Sequence, residues 1–125
     1  MSKQPIQTSG APAAIGPYSQ GIAAGNTAYV YGQLPIDPAT GAMPEGIAAQ
    51  ATQSMKNIQA ILAEAGMEMK DIVKTTILLA DLAGFGEVNE VYGSFFTGDY
   101  PARACYQVAR LPKDALVEIE AVAVK

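Results

Sequence analysis

Arg103, Glu118 and Glu120 are the residues of this chain best suited to chemistry, because each interrupts an otherwise apolar, β-like run. Tyr100-Pro101-Ala102-Arg103-Ala104-Cys105 places a guanidinium in one run, and Val117-Glu118-Ile119-Glu120-Ala121 places two carboxylates in the next. Ionised groups rarely occupy such surroundings unless they are paired or bind something charged, since withdrawing them from water is costly. The planar fork of Arg matches a carboxylate or phosphate, and a Glu held nearby can accept a proton or orient a water. The pattern points to a small-anion site in which a substrate carboxylate meets a hydrolytic water. The structural alternative is a plain cross-strand ion pair.

Side chains alternate faces along a strand, so Arg103 and Cys105 share a face, and Glu118 and Glu120 likewise share a face. The two runs, joined across Leu111-Pro112-Lys113-Asp114, read as a hairpin of strands 103–109 and 116–124. That pairing would bring Arg103 and Glu118 together within one chain. Cys105 reads as a small buried hydrophobe, with no base in sight to generate its thiolate. Tyr18, after Gly16-Pro17, is either a packing aromatic or a pocket wall with a hydroxyl at its tip. Asn89 has the bland reading of an exposed helix polar residue. Gly32, inside a β run, marks a bulge or a close approach of a ligand to the backbone.

The sequence contains no His and a single Cys. Ser-His-Asp and Cys-His nucleophile pairs cannot be assembled from it, and neither can the usual zinc sites. Gly84-Phe85-Gly86 lacks the further glycine and the Lys of a phosphate loop. No metal site is expected, which leaves carboxylates, Arg, Tyr and backbone groups as the chemical parts. With one Cys there is no intrachain disulfide, and no stretch near the N-terminus has the apolar core of an export signal. No apolar run approaches the roughly 18 residues that a membrane span requires. A cytoplasmic protein without membrane contact is expected. The net charge of −4 supplies no basic footprint for nucleic acid.

These side chains must be positioned by a chain of 125 residues, the size of one domain spanning 1–125. Half the residues are hydrophobic and only 16% are charged, little charge for a small monomer and an argument for self-association. Residues 1–17 mix Pro and Gly in a strand-and-turn composition anchored by Ile6 and Ile15. Runs 20–24 and 27–33 flank Gly25-Asn26, a hairpin turn. After a loop at Asp37–Gly41, the apolar positions Ile47, Ala51, Met55, Ile58, Leu62 and Ala65 recur at helical spacing, and Gly66 suits a C-cap.

Residues 72–79 are β-branched and too short for a typical helix, so they read as a buried strand. Asp81 is placed to cap a second helix whose face carries Phe85, Val88, Tyr92 and Phe95 and which ends near Gly98. Asp71 reads as a cap, and Met55, Met67 and Met69 as core or contact residues. The order β(β)β-α-β-α-β-β predicts an α+β fold, a mixed β-sheet with two helices packed on one face. The other face would need cover, which packing between subunits could supply.

Gly16-Pro17-Tyr18-Ser19-Gln20, Tyr31-Gly32-Gln33-Leu34-Pro35, Val88-Asn89-Glu90-Val91-Tyr92, the Tyr100–Cys105 run, and Leu111-Pro112-Lys113-Asp114 through Ala121 together resemble the Rid (YjgF) family of reactive-intermediate deaminases, its RidA branch above all. The likeness covers essentially the whole chain. It implies a chorismate-mutase-like fold, a homotrimer with active sites in the clefts between subunits, and cofactor-free hydrolysis of 2-imino acids, formed from enamines such as 2-aminoacrylate, to 2-oxo acids and ammonia.

Carried over by position, the resemblance implies that Arg103 holds the substrate carboxylate and Glu118 activates the water. Tyr18 would line the pocket, the backbones of Gly32 and Cys105 would contact substrate, Asn89 would shape the site, and Glu120 would play a supporting part. Tyr31 stands where many relatives carry Ser, a departure that bears on the wall and volume of the pocket. A non-catalytic binding or sensor module for small 2-oxo acids would use the same Arg. An endoribonuclease or translation-inhibitor role, attributed to some relatives, is disfavoured by the absent His and the acidic charge.

Overall fold

The computed structural model describes residues 2–125. Strands β1 (Lys3–Ile6), β2 (Gly21–Ala24) and β3 (Thr27–Gln33) precede helix α1 (Ile47–Glu64). Strand β4 (Ile72–Leu79), helix α2 (Phe85–Gly93), β5 (Ala102–Gln107) and β6 (Val117–Val124) follow. The element order is the one read from the sequence. Gly25, at φ +61°, turns β2 into β3 as the hairpin reading required.

The strands form one six-stranded sheet in the order β1-β2-β3-β6-β4-β5. This corrects the expected pairing of the last two strands, because β4 lies between β5 and β6. Strand β6 runs antiparallel to both β3 and β4, whereas β5 lies parallel to β4. The cause is the connection through α2. A strand-helix-strand unit brings its second strand back parallel to the first, so β5 takes the outer edge of β4 and leaves the inner edge for β6.

Alternation decides which side of each strand is buried. Val117, Ile119, Ala121 and Ala123 of β6, with Ile77 and Leu79 of β4 and Ala28 and Val30 of β3, face the helices and are almost fully buried. Met55, Ile58, Ile61 and Leu62 of α1 and Val88 and Tyr92 of α2 close this core, joined by Met67 and Met69 as expected. The other sheet face has no helix. It exposes Tyr29, Tyr31, Tyr106 and Val124 around the carboxylates of β6.

Local departures from the sequence reading have simple causes. The side chain of Asp81 accepts from the Ala83 N–H at 2.8 Å and so caps a short 3-10 turn, Leu82–Gly84, that precedes α2. Helix α2 stops at Gly93, leaving Phe95 beyond it rather than on its face. Asp71 does act as a cap, accepting from the Glu68 N–H at 2.8 Å. Ile6 is buried, but Ile15 is 74% exposed and anchors nothing within the chain.

Candidate active site

Buried polar side chains pin the segments that carry the candidate residues. Gln20, 4% exposed, donates from its amide to the carbonyls of Thr8, Ala11 and Pro12 and accepts from the Thr8 N–H, fixing the N-terminal segment beside Tyr18. On α1, Ser54 donates to the Gln33 carbonyl, and Asn57 donates to those of Leu34 and Ile36. Carbonyls leaving the sheet are thereby satisfied inside the core, where an unpaired one would be costly. Gln50 accepts from the Leu116 N–H at 2.9 Å and holds the entry to β6.

Between these anchors β3 carries a bulge. Val30 pairs with Ala121 and Gln33 with Ile119, so β3 advances three residues while β6 advances two. Gly32 occupies this irregularity, as its position in a β run foretold. A methyl group on it would collide with the Glu118 carboxylate, which lies directly against the glycine. Glu118 is half-buried, and burial raises its pKa above the usual carboxylate range, with the charge of Glu120 adding to the rise. Glu120 itself is exposed on the same face. Tyr31 stacks on Tyr18 at 4.6 Å between ring centroids, and its phenol is held above its usual pKa by burial and then by Glu118, Tyr18 and Glu120. The Tyr18 hydroxyl accepts from the Ile15 N–H at 3.2 Å, and the residue is exposed on the protein surface.

Arg103 stands elsewhere. It is in register with Thr75 of β4, which is in register with Ala121 of β6, and this row faces the helices. Glu118 is in register with Leu78 and faces the open side. The two candidates are therefore on opposite faces, two strands and three register positions apart, about 10 Å along the strand direction alone. The arrangement overturns both their placement on one hairpin and the ion-pair alternative. Among the described residues neither Arg103 nor Glu118 forms a salt bridge; the pairs present are Lys70–Glu68 and Arg110–Asp114, on exposed side chains.

Arg103 instead lies over the rings of Tyr92, 5.0 Å from guanidinium carbon to centroid, and Phe85, at 5.4 Å. Its Nη1 donates to the Asn89 side-chain oxygen at 2.7 Å. Asn89, partly buried, is thus a partner of the guanidinium rather than a free surface amide. Cys105, two residues on, is partly buried against the core, and burial raises its thiol pKa, opposed by the nearby Arg103. The side chain packs on the core as a small hydrophobe, but it is partly rather than fully buried.

The candidates fall into two groups within the chain: Arg103, Asn89 and Cys105 at the helix-side edge, and Tyr18, Gly32, Glu118 and Glu120 on the open face. Phe85, Tyr92 and Thr75 at the first group escaped the sequence reading as site residues. The signal was present in the spacing, since residues 85, 89 and 92 share one helical face. No helix among the described residues is long and apolar enough to cross a membrane.

A family model described as Endoribonuclease L-PSP matches residues 8–125. A 2-iminobutanoate/2-iminopropanoate deaminase of Salmonella typhimurium is 52% identical over 100% of this chain and 99% of its own length. Among solved structures, the YjgF gene product from E. coli has a TM-score of 0.95 at 50% identity over 98% of both chains. A structure of E. coli TdcF with bound serine also has a TM-score of 0.95, at 46% identity over 98% of each chain. The six-stranded mixed sheet with its two helices is thus the chorismate-mutase-like α+β fold of these neighbours, and the chain belongs to the Endoribonuclease L-PSP family, the Rid (YjgF) family that its motifs resemble.

Proposed function

We propose that the protein hydrolyses 2-imino acids, formed from enamines such as 2-aminoacrylate, to 2-oxo acids and ammonia. Relatives named 2-iminobutanoate/2-iminopropanoate deaminase, at about half identity over the whole chain, support the reaction class. One observation carries the assignment of roles: a guanidinium and a carboxylate, neither neutralised within the chain, are presented on opposite faces of one sheet. Arg103 binds the substrate carboxylate through its free Nε–Nη2 edge, and Glu118 serves the water.

The reaction adds water across C=N. Glu118 takes a proton from the water as its oxygen bonds to the imine carbon and passes it to nitrogen, giving a carbinolamine. The carbinolamine hydroxyl then loses its proton, which reaches the same nitrogen as the carbonyl forms and the C–N bond breaks. R–C(=NH)–COO⁻ and H₂O become R–CO–COO⁻ and NH₃, with no change of oxidation state. Such a step needs a carboxylate with a raised pKa, since a base closer to the operating pH returns the proton more readily.

Opposite faces imply opposite chains. In a homotrimer the exposed aromatic face of one sheet would pack against a neighbour, so that Arg103, Asn89 and Cys105 of one subunit meet Tyr18, Gly32, Glu118 and Glu120 of the next across a cleft. The covering of Tyr29, Tyr31, Tyr106 and Val124 supplies the apolar drive for assembly.

The decisive assay generates imines in place with an amino-acid oxidase and follows ammonia release across several side chains. Acceleration over the spontaneous rate is expected. A second reading, a 2-oxo-acid or amino-acid binding module, draws on the serine-bound TdcF structure. Tight binding of 2-oxobutanoate with no acceleration of ammonia release would select it.

A further inference from the structure

Arg103 has an exposed, long and flexible side chain, yet its guanidinium meets three side chains of α2. Phe85, Asn89 and Tyr92 follow one another at spacings of four and three, so they form a single stripe along the helix. Asn89 takes Nη1, while the Phe85 and Tyr92 rings lie beneath the guanidinium carbon at 5.4 and 5.0 Å. The stripe is tied to the sheet at one point. The Tyr92 hydroxyl and Thr75 Oγ1 lie 2.6 Å apart in a buried hydrogen bond, and Thr75 is the residue of β4 in register with Arg103.

The connection is closed: strand register sets Thr75 beside Arg103, Thr75 fixes Tyr92, and Tyr92 carries the guanidinium that Arg103 sends over it. A bidentate contact with a carboxylate demands a fixed plane, and a guanidinium left to swing would lose freedom on every binding event. Aromatic faces restrict the plane without neutralising the charge, which a carboxylate partner would do.

Resting on the carboxylate-binding role proposed for Arg103, we infer that Phe85 and Tyr92, the latter locked by Thr75, are positioning residues that preset the plane of the guanidinium for a 2-oxo or 2-imino carboxylate, with Asn89 choosing the edge left free. They act on substrate affinity and leave the water-activating step to the other face.

The test is binding of 2-oxobutanoate by calorimetry beside steady-state deamination, in the assembled protein. Phe85→Leu changes an exposed ring, and Thr75→Val is nearly isosteric, so both are expected to fold, with thermal midpoints as the check. Each should weaken 2-oxobutanoate binding and raise KM about threefold to fivefold, the scale of a cation–π contact, while kcat stays within twofold. In an Arg103→Lys background the same substitutions should change affinity by less than twofold, because an ammonium has no plane to preset. Unchanged affinity in both variants, or equal losses in the Arg and Lys backgrounds, overturns the positioning role alone. Undiminished 2-oxobutanoate binding by Arg103→Ala overturns the carboxylate-binding reading and this inference with it.

Discussion

At the β5 edge a cation lies over two aromatic rings and donates to a neutral amide, whereas on the open sheet face a half-buried carboxylate sits beside a second carboxylate. The first environment sets no carboxylate among the described residues beside the guanidinium and holds it against one helix face. The second penalises charge, through lost hydration and like-charge repulsion, and so raises the affinity of Glu118 for a proton. On the proposed function, the contrast separates a binding task from a proton-transfer task within one small chain. It also shows that, among the described residues, each region lacks the opposite charge that the other displays.

Removing the binding charge should have the largest effect. Arg103→Ala is expected to lower kcat/KM for a small 2-imino acid by on the order of 3 kcal/mol, about a hundredfold or more, with Arg103→Lys a poor rescue. Ammonia release at near-native rates would take Arg103 out of the site. Glu118→Gln should lose activity by the other route, retaining shape but not basicity. Because the two residues face opposite ways, unfolding and reassembling these two variants together should create hybrid clefts with both native groups. Activity well above the sum of the parents is expected; no recovery in verified mixed assemblies would break the two-chain site.

Gly32→Ala comes next. The added methyl must displace the Glu118 carboxylate, so a tenfold or greater fall in kcat is expected with 2-oxobutanoate binding largely kept. Equal losses of binding and turnover would blur the division between the two regions.

Proton affinity gives a subtler test. Folding raises the pKa of Glu118, so the folded chain binds more protons than the unfolded one between the ordinary and raised values, and stability falls as pH rises through that window. Glu118→Gln should therefore have a higher thermal midpoint than the native protein near pH 7, and the gap should close below about pH 4. An Arg103 brought close in the assembly opposes the shift, so the gap should widen in an Arg103→Ala background. A midpoint lowered by Glu118→Gln at neutral pH would contradict the desolvated setting.

The smallest change is expected from Cys105→Ala. Its thiol is partly buried with a raised pKa, and the chain has no imidazole to activate it. Turnover should stay within a few-fold of native, with stability lowered by about 1 kcal/mol for a lost partly buried side chain. A covalent adduct on Cys105 during turnover would overturn attack by water.

Periodicity made the elements readable, because burial of one face writes itself into spacing: Ala51, Met55, Ile58 and Leu62 along α1, and Val117, Ile119, Ala121 and Ala123 along β6, are buried as a set. The Gly32 irregularity and the candidate charges were legible in the same way. Pairing was not. A short Leu111–Asp114 connection looks like a hairpin loop, and nothing local reveals that β4 already occupies the intervening edge. That single non-local fact decided whether Arg103 and Glu118 share a face. Spacing places Tyr92 on one face of the second helix, where it is buried, but spacing does not disclose that its ring also lies under the guanidinium.

The bulge in β3 also fixes a residue count. Sequence length usually varies most freely where a strand gives way to a loop, yet here the bulge absorbs one extra residue between Val30 and Gln33 and so keeps Gln33 on the helix side opposite Ile119. Deleting one residue from this stretch would restore even pairing with β6, two residues against two, and leave Gln33 opposite Ile119, whereas an inserted residue would need a second irregularity or would send everything after it to the other face. The deletion should keep the Gln33 carbonyl within reach of Ser54 but remove the irregularity that leaves room at Gly32 for the Glu118 carboxylate. Gly32 apart, this stretch should accept changes of side chain more readily than changes of length, an insertion-deletion boundary drawn by the ladder.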